Sequence, residues 1–241
     1  MKRLVPVAIL VLTGALSGCS GGMNAMVDTM QYAIGRGRGV EGAALNPQFR
    51  YIRVTIDGRV ALLALGNEDP HPDGAVEVWF SAEREVVRIQ NGRIVGATGL
   101  TTEWRNVSLP KMPAWSEIAR AGQPFNWVRM RDVMPGYRYG VRDALALRLI
   151  PQPSKSALRS LDPQSLTWFE ERAEGESPGG YLATIFGRAG SDSGVLPAAR
   201  YGVDFRAGKE TVVYAEQCLA PDVCFSWQHW PVVSERSAGA R

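Results

Sequence analysis

Apolar and polar positions alternate with a period of two from Tyr51 to Ile56 and again from Arg59 to Leu65, as they do in strands with one buried face. Between them stands Asp57-Gly58, a dipeptide that tolerates positive φ and so suits the two-residue turn of an antiparallel hairpin. The same device recurs where Glu85 to Gln90 and Arg93 to Gly96 flank Asn91-Gly92. Val76 to Phe80 alternates and then stays apolar. Further strand-like runs lie at Phe125 to Met130, Tyr139 to Ile150, Leu166 to Glu171, Tyr181 to Phe186, Tyr201 to Phe205 and Glu210 to Cys218, with a turn at Ala207-Gly208 between the last two. Trp115 to Ala121 predicts one short helix, set among prolines, and the weak pattern from 110 to 124 marks a candidate sub-domain junction. The segment around Ser160 to Pro163 is too short for a crossover helix, which argues against parallel β-α-β units. The expected fold is all-β, mainly antiparallel sheets in two sub-domains of sandwich or barrel type, with a short N-terminal helix.

The amino end has a different pattern. Lys2 and Arg3 precede an uncharged apolar stretch from Leu4 to Leu16, closed by Leu16-Ser17-Gly18-Cys19. This is the layout of a signal peptide. Its apolar stretch falls well short of the roughly 20 residues a helix needs to cross a bilayer. The last four residues resemble the lipobox of bacterial lipoproteins, in which the cysteine is acylated and becomes the first mature residue. Residues 1–18 are therefore expected to be removed and Cys19 to carry lipid. Ser20 follows, where an aspartate would favour retention at the inner membrane, so the expected destination is the outer membrane, facing the periplasm.

After the anchor, Met23, Met26, Val27, Met30 and Ile34 fall at helical spacing. Gly35-Arg36-Gly37-Arg38-Gly39 then reads as a flexible tether, so 19–47 form a lipidated helix and linker, 48–233 the β body and 234–241 a disordered tail. Charge adds little. The formal +3 from 27 basic and 24 acidic residues falls to +1 once Lys2 and Arg3 leave with the signal, and a nucleic-acid partner inferred from basicity falls with it. With Cys19 used for lipid, Cys218 and Cys224 remain as an isolated pair that an oxidising periplasm would bridge. A zinc site using His229 lacks a fourth strong ligand.

The search for catalytic chemistry yields little. Gly175-Glu176-Ser177-Pro178-Gly179 fits the spacing of a nucleophile elbow, but Pro178 lacks the backbone N–H that such a site needs after its serine. His71 sits in the acidic, proline-bounded stretch Asn67 to Gly74, where Asp69 and Asp73 match no calcium-loop pattern. Adjacent Glu170 and Glu171 must point to opposite faces of a strand and so cannot flank one glycosidic bond. No catalytic residue, metal or cofactor is expected. Of the seven tryptophans, Trp79, Trp127 and Trp168 lie inside apolar strand runs, whereas Trp104 and Trp115 lie near loops and are the candidates for exposed glycan contact.

Trp79-Phe80-Ser81, Asn91-Gly92-Arg93-Ile94-Val95, Thr98-Gly99-Leu100, Pro135-Gly136-Tyr137-Arg138-Tyr139-Gly140 and Leu219-Ala220-Pro221-Asp222, in that order and behind a lipobox, resemble the YjbF/GfcB family of capsule and exopolysaccharide lipoproteins. The resemblance implies a predominantly antiparallel β fold in two related sub-domains and no known catalytic residues. It further implies a periplasm-facing lipoprotein of group 4 capsule or exopolysaccharide secretion, partnered by an outer-membrane barrel and periplasmic secretion proteins. Three functions stay open on the sequence: a non-enzymatic accessory or docking factor, a periplasmic polysaccharide-modifying enzyme, and a structural envelope lipoprotein.

Overall fold

Among the described residues twelve antiparallel strands close into one barrel. The structure, a computed structural model, describes residues 40–56, 58–173 and 195–232; the expected signal peptide, Cys19, the helix expected over 23–34, the glycine-arginine stretch, the Gly175–Gly179 motif, the strand expected at Tyr181–Phe186 and the last residues lie outside them. The strands are β1 (Tyr51–Ile56), β2 (Arg59–Asp69), β3 (Val76–Phe80), β4 (Val86–Gln90), β5 (Arg93–Thr98), β6 (Glu103–Ser108), β7 (Phe125–Met134), β8 (Arg138–Ile150), β9 (Thr167–Ala173), β10 (Ala199–Asp204), β11 (Thr211–Ala220) and β12 (Val223–Trp230). Each pairs with its sequence neighbours, and β1 pairs with β12 to complete the cylinder. Closure leaves no sheet edge exposed.

Both expected two-residue hairpins are present. Asn91 and Gly92 have φ of 48° and 84°, the positive pair that joins β4 to β5 with Gln90 opposite Arg93. Gly92 is required a second time, because a Cβ there would stand 2.5 Å from a Val212 methyl on β11.

Two expectations are corrected. Residues 110–124 do not separate two sub-domains: β6 and β7, on either side, pair directly and belong to the same closed sheet. The strand β6 was not anticipated, since Glu-Trp-Arg-Asn-Val-Ser presents only Trp104 as fully buried. The intervening segment instead supplies the only α-helix among the described residues, α1 (Trp115–Ala121), over the residues expected for it.

In a closed meander the odd-to-even turns gather at one end and the even-to-odd connections at the other. Helix α1 belongs to the second end. There the carboxylate of Glu210, before β11, accepts the backbone N–H groups of Trp115 at 2.7 Å and Ser116 at 3.2 Å, satisfying helix-terminal donors that have no intrahelical partner. Trp115 and Ile118 enter the barrel core, so α1 plugs this end.

The outer wall is aqueous in character. Arg88, Arg105, Arg142, Arg148 and Arg172 stand exposed on it, which breaks up the apolar band a membrane-spanning barrel presents. Two apolar outer patches are covered by the chain itself. Residues 40–50 pack Val40, Leu45 and Phe49 over Tyr51, Leu62 and Ala64. The β8–β9 connection packs Leu158 and Leu161 over Trp168 and Tyr214 and is tied down by Gln228, whose amide exchanges bonds of 2.8 and 2.9 Å with the Arg159 backbone.

Candidate functional site

Alternation along β7 and β8 sends Trp127, Arg129, Arg131 and Val133 inward, together with Asp143, Leu145 and Leu147. Three of these are charged, and the fold makes them partners. Arg129 and Asp143 are directly opposite in the ladder. Asp143 Oδ2 accepts from Arg129 Nε at 2.9 Å and Nη2 at 2.8 Å, and from Arg131 Nε at 2.7 Å, while Oδ1 accepts from Arg131 Nη2 at 3.0 Å. Burial pushes the Asp143 carboxyl up, but the hydrogen bonds and charges of the two guanidinium groups outweigh it and hold the group below the usual carboxylate range.

A second pair lies across the interior. Glu171 of β9 accepts from Arg93 Nε of β5 at 3.3 Å, and Arg129 Nη1 stands 4.0 Å from its other oxygen. The Tyr201 hydroxyl donates to Glu171 at 3.2 Å; full burial and the neighbouring carboxylate raise its pKa well above the ordinary tyrosine value. Three arginines thus face two carboxylates in the barrel centre. Aromatic faces lie against these guanidinium groups, with Arg93 4.3 Å from the Trp115 ring centre and Arg129 4.6 Å and Arg131 5.1 Å from that of Trp104, while Arg93 Nη2 is buried without a hydrogen-bond partner.

Two bulges lock this centre to the wall. On β5, Val95 is the extra residue opposite β4, and next to it the Ile94 N–H and Gly92 carbonyl turn to the amide of Gln217 on β11, at 3.1 and 3.0 Å. On β11, Leu219 is the extra residue between the pairs Cys218–Cys224 and Ala220–Val223, and its carbonyl accepts the Trp104 indole N–H at 2.9 Å. Cys218 and Cys224 are disulfide-bonded beside that bulge, at 2.06 Å.

The structure reassigns the aromatic candidates. Trp104 and Trp115 are 1% and 5% exposed, inside the barrel rather than beside its loops, because an unanticipated strand carries the first and the plugging helix carries the second inward. Neither is open to a glycan. Among the described residues the exposed aromatics are Tyr137 and Tyr139, 75% and 67% exposed at and just after the β7–β8 turn.

Glu170 and Glu171 part as alternation requires. Glu171 enters the centre, whereas Glu170 faces outward and accepts from Arg172 at 2.6 Å and Arg148 at 2.9 Å. Those partners lower its pKa, chiefly through the Arg172 hydrogen bond. His71 stays in its turn, 2.8 Å from the Gln90 amide, with Asp73 donating its backbone N–H to the ring at 3.2 Å. Asp69 accepts from Asn67 at 2.5 Å. His229 lies between Trp79 and Trp227, with ring centres 6.5 and 5.8 Å away; burial, and then the charge of Arg50, lower its pKa to about 4. Among the described residues no group of three His, Cys, Asp or Glu side chains is placed to hold a metal.

The interior network was missed because Arg129, Arg131 and Asp143, read along the chain, look like the solvent side of a strand. The available signal was their parity, for they alternate in step with Trp127, Val133, Leu145 and Leu147.

Fold and centre together define a class: a closed antiparallel barrel with a polar outer wall, its middle filled by interlocked arginines, carboxylates and tryptophans. The crystal structure of the hypothetical lipoprotein YmcC from Escherichia coli (K12) is similar to it over 86% of this chain and 97% of that one, with a TM-score of 0.55 and 12% identity, a likeness of fold alone. A search of curated proteins found no match. The family model described as group 4 capsule polysaccharide lipoprotein, GfcB/YjbF, matches residues 43–181, more than half of the chain, and the chain belongs to that family.

Proposed function

We propose that this chain is a lipoprotein anchored through acylated Cys19 to the outer membrane, facing the periplasm, and that it serves capsule or exopolysaccharide secretion as a non-enzymatic docking factor. Membership of a capsule polysaccharide lipoprotein family supports the process. The lipobox at Leu16 to Cys19 and the serine after it support the anchor and its destination.

The observation that carries the non-enzymatic reading is the engagement of the barrel's central charges. Asp143, Glu171, Arg129 and Arg131 are each buried and held by one another or by Tyr201. Their polar atoms are directed at one another in the closed interior. What the body offers to partners is its outer wall and its two ends, and its partners on this reading are an outer-membrane barrel and periplasmic secretion proteins.

Deleting the gene and restoring it as the unsubstituted chain or as Cys19→Ser tests both parts. Loss of surface polymer in the deletion, recovery with the intact chain, failure with exported Cys19→Ser and co-purification of an outer-membrane barrel after gentle detergent extraction are expected. Normal polymer in the deletion strain would overturn the proposal.

A further inference from the structure

Among the described residues nothing plugs the barrel end away from α1, where the β9–β10 connection, most of it outside the described residues, also belongs. Among the β1–β2, β3–β4, β5–β6 and β11–β12 turns it holds a cavity of about 370 Å³, within the roughly 300–1,000 Å³ of ligand pockets. Its inner wall is Val54, Leu63, Val87, Leu100, Val223 and Phe225, all part of or packed against the main core. Its polar lining residues, among them Arg59, Ser81 and Glu85, stand in or beside the turns at the rim, where the Ser81 hydroxyl is held by the Glu85 carboxylate.

This distribution selects the ligand. A sugar or peptide pushed past the rim would leave hydroxyls or amides without partners in an apolar wall, at the cost of their lost hydration. An aliphatic chain loses nothing there and gains by leaving water. A second observation points the same way. The β7–β8 turn belongs to the same end and exposes Tyr137 and Tyr139 around exposed Arg138, amphipathic rings beside a cation, a combination that favours the interfacial zone of a lipid layer. The anchor proposed above would hold the chain beside such a layer.

We propose that the open mouth binds one acyl chain of a monomeric lipid, with the tail between Val54, Leu63, Val87 and Phe225 and the head at the rim beside Arg59. The proposal goes beyond the docking function and does not depend on it.

The test uses the exported full chain carrying Cys19→Ser, which brings no acyl group of its own. Titration with the fluorescent fatty acid cis-parinaric acid should saturate at one equivalent, and native mass spectrometry with palmitate should show a single adduct. Displacement by palmitate alone would assign a free fatty acid, and displacement by palmitate and lysophosphatidylethanolamine alike a lipid whose head stays outside. Filling the mouth with Ala61→Phe or Leu100→Trp should weaken binding at least about tenfold, whereas Met130→Ala on the outer wall should leave it unchanged. Should a filling variant fail to fold, photo-crosslinking of a diazirine fatty acid to the Cys19→Ser chain decides the matter. Adducts within 54–63, 81–87, 99–101 and 223–225 support the site. No saturable binding, binding that both folded filling variants retain, or adducts confined to other segments would overturn it.

Discussion

The indole N–H of Trp104, on β6, donates to the carbonyl of Leu219, on β11, at 2.9 Å across the barrel interior. These strands are not neighbours in the sheet. The bond exists because a bulge releases the Leu219 carbonyl from the β11–β12 ladder and the barrel is narrow enough for one tryptophan to reach it.

Trp104→Phe keeps a ring in place and removes the donor, leaving a buried carbonyl unsatisfied. The expected loss in urea unfolding of the Cys19→Ser chain is about 1–3 kcal/mol. A loss below about 0.5 kcal/mol would mean that water replaces the indole.

The Cys218–Cys224 disulfide borders the same bulge and closes a short loop, with the cysteines six positions apart. Removing it by a double serine substitution is expected to cost about 2 kcal/mol. Combined with Trp104→Phe, the two losses should fail to add by at least about 0.5 kcal/mol, because both constrain Leu219. Simple additivity in the double-mutant cycle would show the two constraints to be independent.

Asp143→Asn leaves Arg129 and Arg131 buried with their carboxylate gone, and is expected to cost about 3–5 kcal/mol or to prevent folding. Glu170→Gln removes an equal charge from partners that are 50% and 60% exposed and should cost about 1 kcal/mol or less. Equal losses in the two variants would contradict the assignment of Asp143 to the barrel centre.

His229 is neutral in the fold down to about pH 4 but takes up a proton near pH 6.5 when the chain unfolds. Between those values the unfolded state binds more protons, so this group's contribution to stability is full above pH 6.5 and falls as the pH drops to 4. Relative to His229→Phe, the unsubstituted chain should lose about 2 kcal/mol over that window, allowing for the partial exposure of the ring. Parallel stability curves for the two proteins would show that His229 titrates normally.

Gly92→Ala meets both a positive φ of 84° and a Val212 methyl 2.5 Å from the new Cβ, whereas Gly58→Ala, at φ 73°, meets nothing within 4 Å. The Gly58 change should cost about 1–2 kcal/mol and the Gly92 change more, with partial recovery in Gly92→Ala/Val212→Ala. Equal thermal shifts for the two glycine changes would remove the steric part of this account.

What was legible in the chain was local. Asn91-Gly92 announces its hairpin because two positive φ values in succession suit few other residues. Trp115 to Ala121 announces its helix, and the parity of Glu170 and Glu171 foretells that they separate. What stayed hidden depends on residues distant in sequence. Trp104 is surrounded by polar neighbours and declares no strand until β5 and β7 flank it. Arg129 and Asp143 show their role only once the cylinder has turned both inward, and no local pattern announces that β1 will meet β12.

That seam sets a timetable for biogenesis. Tyr51, at the start of the first strand, pairs with Trp230, at the end of the last, so the cylinder cannot close until almost the whole body has been synthesised. Until then β1 presents a bare edge, open to pairing with other chains, and contacts this remote in sequence form slowly. The chain therefore passes through an unsealed stage in which that bare edge, more than any finished surface, decides between folding and aggregation.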